Sequence, residues 1–493
     1  MRKLFGFLAL AALLSPVSAF AQAGCVTLSG DLSFGAKGSE VTKLQTFLKA
    51  QGYLTAPLVP NFGNATLAAV RAFQKANGIS QTGTVGPLTR SAVQKASCGS
   101  SNSGGTISTG SINTASNSFE ISGWIPYWRA ATGTKDVLPH LDEISEVNPF
   151  VYSVKTTGEI VDNGGMDQEP WTSFIAAAKA KKVRVIPTVM WSNSDAMHAI
   201  LRDAPLRQAL QDRIVKLVYD NGYDGVDIDF EGKHADEKEY FATFLKGLYQ
   251  KIGSKWVTCD IESRTPIDAR YYGAEIPADA GIYANDFVAI NKYCDRVKVM
   301  AYDQQGIDLE LSAQAASSSQ VYAPVADPFW VRKVISLMAK DIKRSKLMIG
   351  VPTYGYEYDV TAYAGGQYTY DILWTFNPGY ATPIAAQYGV TPVRNMAGEM
   401  QFTYFPAGTG VTTPVPISVN NIPSALLAAA ASSAYADSVN THHTFRLMDW
   451  PDAQSIAGKA ELAADLGVRG IAIFKLDGGQ APGMWEALVG VKQ

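Results

Sequence analysis

Residues Asp224–Glu231 read DGVDIDFE, with carboxylates at Asp227, Asp229 and Glu231 and the apolar Val226, Ile228 and Phe230 between them. A period of two is that of a β-strand, so the three acids share one face and the apolar residues the other. An exposed strand resting on a core shows the same alternation. Where this strand sits in the fold therefore decides what its acids are for.

Outward from it a theme repeats. The β-rich runs ISGWIPYW, NPFVYSV, VRVIPTVMW, YDGVDIDF, KWVTCDI, RVKVMAY, KLMIGVPTY and VRGIAIF alternate with amphipathic stretches such as PLRQALQDRIVKLVYDNG and EYFATFLKGLYQKIG. Eight strands alternating with helices predict an α/β unit over 119–493, closed as a parallel (β/α)8 TIM barrel. The unit exceeds the roughly 250 residues usual for such a barrel. The surplus is a Tyr- and Gly-rich insertion at about 356–443, between the seventh and eighth strands.

DGVDIDFE is the fourth strand. Its apolar side suits the surrounding helices, so the acids point into the barrel, and Glu231, last in the row, stands nearest the mouth where barrel active sites lie. Crowded carboxylates in a confined site do not all ionise cheaply, and a retained proton is what general acid catalysis requires. Two other readings share this spacing. A calcium loop needs an acid at the twelfth position from Asp227, where Lys238 stands. A purely structural acidic face must bear the cost of burying like charges. Asp224 lies on the opposite side of the strand and is expected to be structural.

The 493-residue chain has 47% hydrophobic residues and a formal charge of −3. This argues against nucleic acid or an anionic membrane surface as the main partner. The N-terminus has Arg2 and Lys3, an apolar stretch from Leu4 to Leu14, and small residues at Ala19, Ala21 and Ala23. That is the layout of a secretory signal peptide over 1–23, too short to span a membrane, with cleavage after Ala21 or Ala23. A lipid-anchored Cys25 is the alternative. Four cysteines in an exported chain are expected to pair, and of three pairings Cys25 with Cys98 and Cys259 with Cys294 keep each bridge within one segment. Residues 99–118, nearly all Gly, Ser, Thr and Asn, read as a flexible linker.

Ahead of it, 24–98 read as a small all-α domain of short helices, with Val41, Leu44, Phe47 and Leu48 on one helical face and Leu67, Val70 and Phe73 on another. A generic helical spacer fits that period equally. The segments LSFGAKGSEVTKLQTFLKAQGY, FGNATLAAVRAFQKANGI and GTVGPLTRSAV resemble the peptidoglycan-binding domain of exported wall hydrolases, which implies that this domain holds the chain on the wall.

The acidic strand matches D-x-x-D-x-D-x-E, the signature of glycoside hydrolase family 18, and ISGWIPYW, VKVMAYDQQG, LMIGVPTYGYEYD and GVRGIAIFKLDGG resemble the same family in order. The resemblance implies substrate-assisted, retaining hydrolysis of β-1,4 bonds, with the 2-acetamido oxygen of the sugar as nucleophile. By it, Glu231 is the acid and base, Asp229 holds the acetamido N–H, Asp227 shares a proton with Asp229, Tyr302 binds the acetamido carbonyl and Asp303 positions the sugar. Sugar faces need flat apolar surfaces, and Trp124, Tyr127, Trp128, Trp191, Met300, Tyr354 and Phe474 stand at strand ends as candidates. Phe474 replaces the Trp usual in the family, and TVMW lacks the Gly pair usual before Trp191.

No metal or nucleotide cofactor is expected: His442 and His443 are adjacent, a poor spacing for shared ligation, and GGQAPG lacks a P-loop Lys. The sequence thus predicts a secreted, wall-associated hydrolase of N-acetylglucosamine-containing polysaccharide, peptidoglycan being favoured. Chitin as the polymer, and a glycan-binding lectin without catalysis, are the alternatives.

Overall fold

The computed structural model describes residues 26–28, 30, 32–77, 83–98, 119–316, 320–407 and 422–492. The expected signal peptide, the Cys25–Cys98 pairing and the linker lie outside the described residues. The chain divides into two compact units, Met1–Ile107 and Ser108–Gln493.

In the first unit, helices Ser39–Ala50, Asn64–Ala76 and Pro87–Cys98 follow one another. The apolar faces read from the sequence are buried, with Phe47 edge-on to Phe73 at 5.2 Å. Two buried glutamines repeat one device. Gln45 Nε2 donates to Asn61 O and Thr66 Oγ1, and its Oε1 accepts from Val59 N. Gln74 Nε2 donates to Thr84 O and Thr89 Oγ1, and its Oε1 accepts from Gly83 N. Each amide, fully satisfied inside the core, fixes the loop that follows its helix.

The second unit is a closed barrel. Strands Glu120–Pro126, Glu146–Val154, Thr188–Trp191, Gly225–Phe230, Trp256–Glu262, Arg296–Met300, Leu347–Pro352 and Gly470–Phe474 run parallel, and the first pairs with both the second and the last. Each overlaps one of the eight β-rich runs of the sequence, three of them extending one or two residues beyond it. Val226, Ile228 and Phe230 are fully buried on the helix side, where Phe230 stacks on Phe244 of helix Lys238–Lys251 at 5.2 Å. Burying such side chains is worth about 1.5–3 kcal/mol each, so this side of the strand is fixed and the acids must face inward. Asp224 is structural: its Oδ2 accepts the amide of Val185, as Asp295, just ahead of the sixth strand, accepts the amide of Val257. Gly225 has no room for a Cβ, which would collide with the Trp256 carbonyl.

The insertion is a five-stranded antiparallel sheet. In chain order its strands are Gly355–Tyr363, Gln367–Phe376, Val393–Arg394, Met400–Tyr404 and His442–Trp450, and in space they lie second, first, fifth, fourth, third. Phe376, Phe402, Tyr404, Met448 and Trp450 form its core. The inserted sheet therefore runs on to Trp450, beyond the expected end near 443, and His442 and His443 open its last strand. Periodicity gave no sign of this, because pairing with strands Gly355–Tyr363 and Met400–Tyr404 and packing on helix Leu427–Val439 set the strand's limits. A disulfide joins Cys259 of the fifth strand to Cys294 ahead of the sixth. No described helix is long and apolar enough to cross a membrane.

Candidate active site

The inward side chains form a ladder of charge from the closed end of the barrel to its mouth. At the bottom Glu120 receives Arg296, at 2.6 Å and 2.9 Å, and Arg184 at 2.9 Å. Burial opposes its ionisation, but these guanidinium groups hold its carboxyl below the ordinary range. One level up, Lys298 Nζ lies 2.9 Å from Asp227 Oδ1 and 3.0 Å from Glu146 Oε1. Asp227 also accepts from Trp124 Nε1 at 2.9 Å, Thr188 Oγ1 at 2.9 Å and Thr258 Oγ1. Burial pushes Asp227 up, yet Lys298 and these donors overcome it, and the carboxyl titrates below its ordinary range. Asp227 is an anion.

Asp260, two residues beyond Thr258 on the fifth strand, hydrogen-bonds Asp227 and is pushed well up by burial and by the Asp227 charge. It holds the proton of that pair. Asp229 is likewise pushed well up, by burial first and then by the charges of Glu231 and Asp227. Its hydrogen bond goes to Glu231. Glu231 is exposed at the mouth, although enough protein surrounds its carboxyl for burial to be the largest influence on its titration. Burial and the Glu262 and Asp303 charges raise it, against the Asp229 hydrogen bond and the Lys233 cation, which lower it. Lys233 Nζ is held by the Phe230 carbonyl and by Glu262 Oε1 at 3.1 Å.

The pairing thus differs from the expected one. Asp227 shares its proton-bearing hydrogen bond with Asp260 and Asp229 shares its own with Glu231, because Lys298 and three neutral donors occupy the Asp227 carboxylate.

Around this ladder lies an aromatic floor centred on Phe474. Its ring is 5.8 Å from Tyr302, nearly parallel at 18°, 5.9 Å from Trp124, 6.0 Å from Phe150 and 6.1 Å from Tyr354. Gly350 on the seventh strand leaves room for the Tyr302 ring, since a Cβ there would lie 2.9 Å from it. Burial, then neighbouring carboxylates, keep the Tyr302 phenol protonated well past its ordinary range. Asp303 Oδ1 accepts from the hydroxyls of both Tyr354 and Tyr356. Its backbone is left-handed, at φ 58°, a conformation that Asp tolerates better than bulkier residues. Met300 is half-buried and in register with Glu262 at the mouth. Tyr127 and Trp128 are exposed, their rings 5.0 Å apart, and Trp128 reaches Phe150 at 6.0 Å.

Two expected sugar contacts sit elsewhere. Trp191 pairs with Phe230, not Asp229, across the third and fourth strands. It therefore lies on the helix side, 3% exposed, with its ring 5.3 Å from Phe230. Trp124 is 2% exposed and lies beneath the floor, holding Asp227. Sequence reading missed Glu146, Phe150, Lys233, Asp260, Glu262 and Lys298. For Asp260 and Lys298 a signal existed: Lys298 is spaced by even steps from Tyr302, and Asp260 alternates with Cys259 and Ile261 as Asp229 does with its neighbours.

Comparison with known proteins accords with this geometry. Residues 37–93 match the peptidoglycan binding domain family. A glycosylase of Bacillus subtilis, YvbX, is 24% identical over 227 residues, 44% of this chain and 61% of that protein, so the chain spans under two thirds of its length. Two solved structures share the fold. The Bacillus megaterium spore cortex-lytic enzyme SleL has a TM-score of 0.54 at 18% identity, covering 75% of this chain and 73% of its own. The chitinase of Chromobacterium violaceum has 0.55 at 17% identity, covering 76% and 98%. Residues 124–479, more than half of the chain and every acid of the ladder above Glu120, match glycosyl hydrolases family 18, and the chain belongs to that family.

Proposed function

We propose that this chain is a retaining glycosidase that cuts the β-1,4 bond following N-acetylglucosamine in peptidoglycan, with the substrate's acetamido oxygen as nucleophile. The observation that carries the reading is the Asp229–Glu231 pair, two hydrogen-bonded carboxyls that both titrate above their ordinary range at the mouth of the barrel. Glu231 protonates the glycosidic oxygen as the bond from that oxygen to the anomeric carbon breaks and the acetamido oxygen closes onto the same carbon. Asp229 passes the proton of their shared hydrogen bond to Glu231, turns to the acetamido N–H and, as the resulting anion, stabilises the oxazolinium ion. Water then adds at the anomeric carbon, gives its proton to Glu231, and the ring opens. Asp227, held anionic by Lys298, keeps Asp229 from ionising early. Tyr302 supplies a hydroxyl donor for the acetamido group and Asp303, braced by Tyr354 and Tyr356, orients the sugar. Phe474 forms the floor, with Met300, Tyr354, Tyr127 and Trp128 around it.

The peptidoglycan-binding domain supports the polymer, since tethering the barrel to the wall raises local substrate concentration. The basic, apolar and Ala-rich N-terminus supports export. Chitin is the second substrate reading, favoured by the likeness in fold to a chitinase along nearly its whole length. Mass analysis of products from purified sacculi and from chitin decides between them. Muropeptides with N-acetylglucosamine at the reducing end are expected, and release of chitooligosaccharides alone would overturn the choice of polymer.

A further inference from the structure

Away from the row of acids, the loops that leave the third and fourth barrel strands bring two histidines together. His198 lies on helix Ser194–Arg202 and His234 follows Glu231 by three positions. Their rings stack at 5.1 Å and 18°. One ligand atom on each of His198, His234 and Asp236 lies within 4.8 Å of the other two. Asp195 adds a carboxylate 3.2 Å from His234 Nε2. Behind them Glu237, with a side chain 0% exposed, holds His198 Nδ1 through Oε1, and among the described residues its Oε2 has no hydrogen-bond partner.

We propose that His198, His234 and Asp236 bind a divalent transition-metal ion of the Zn2+ class that ties these two loops together beside Glu231. Imidazole nitrogens with a carboxylate oxygen are a donor set for zinc and its neighbours, whereas Mg2+ and Ca2+ take oxygen ligands. Bonds of about 2.0–2.1 Å put tetrahedral donors about 3.3 Å apart, so donors now within 4.8 Å of one another close by up to about 1.5 Å on binding. The groups that must move are the exposed ones, Asp236 at 73% and His234 at 40% side-chain exposure. His198 is already oriented as a ligand. A carboxylate on one ring nitrogen fixes the ring and its tautomer and leaves the other lone pair for a metal. That carboxylate is the buried Glu237 on Nδ1; Asp236 Oδ1 now lies 3.9 Å from the same nitrogen, so on binding it turns toward Nε2 and the exposed Arg202, 3.2 Å from Nε2, swings aside. The same two loops are already joined by Ser194 Oγ, which donates to the Gly232 carbonyl at 2.5 Å. Because the ligands come from two loops, no spacing in the sequence announces the site.

The test uses the untagged full chain, stripped with chelator and titrated with Zn2+ by calorimetry, with the melting temperature followed in parallel. One saturable site and a rise in melting temperature with Zn2+ are expected. His198→Ala/His234→Ala should bind at least about tenfold more weakly, and His442→Ala/His443→Ala should bind as the wild type does. Should the double variant fail to fold, Asp236→Asn, an exposed change, decides by the same tenfold criterion. Absence of saturable binding, or affinity within twofold of wild type in both loop variants, or loss of the site only in His442→Ala/His443→Ala, overturns the proposal. So does equal competition by Mg2+.

Discussion

Lys298 Nζ lies 2.9 Å from Asp227 Oδ1 inside the barrel, and neither side chain is exposed to solvent. This contact sets two chemically similar acids apart: Asp227 is an anion by compensation, and Asp229 keeps a proton because burial first, and then the charges of Glu231 and Asp227, oppose its ionisation. Replacing Lys298 by Met leaves Asp227 without its cation, while Glu146 keeps Arg184 at 3.1 Å. Removing one partner of a buried ion pair costs about 3–5 kcal/mol. Urea unfolding of Lys298→Met should show a loss of that size, and a loss under about 1 kcal/mol would mean that the lysine is not the clamp.

Asp260 must take up a proton to be buried beside Asp227, so its folded-state pKa lies above its unfolded one. Between those two values the folded chain binds more protons than the unfolded chain, and stability falls as pH rises. Each pH unit across the window removes up to about 1.4 kcal/mol through this group. Asp260→Asn keeps a hydrogen-bond donor toward Asp227 without the titration. The variant should gain on the wild type as pH is raised above the ordinary carboxylate range, and parallel stability–pH curves for the two proteins would refute the assignment.

Lys233 lowers the Glu231 carboxyl that the surrounding protein raises. A general acid works below its pKa and fails above it. Lys233→Met removes the cation, so the alkaline limb of kcat/KM against pH should move to higher pH. An unmoved or acid-shifted limb would place the titrating group elsewhere.

Glu231→Gln removes the transferable proton while keeping the shape of the side chain. Hydrolysis should fall by about 10²–10⁴ in kcat, with glycan binding retained. An unchanged rate would end the catalytic assignment and leave a glycan-binding barrel.

Tyr302→Phe deletes one hydroxyl donor above the Phe474 floor. A loss of roughly tenfold to a hundredfold in kcat/KM is expected on acetamido sugars. No change would remove Tyr302 from the sugar site.

The sequence by itself determined the barrel and the face of the fourth strand. Alternation along one strand is a local property, and the run of apolar and amphipathic segments fixes which side of each strand meets a helix. It also showed Glu231 at the mouth, because position along a strand is legible without neighbours. Tertiary structure alone decided which acids pair. Lys298, Asp260 and Trp124 reach Asp227 from three other strands, and Trp191 turned toward the helices because its register matches Phe230. Proton sharing and ring contacts depend on groups brought within a few ångströms by closure of the sheet, and no spacing in a linear chain records the distance between strands.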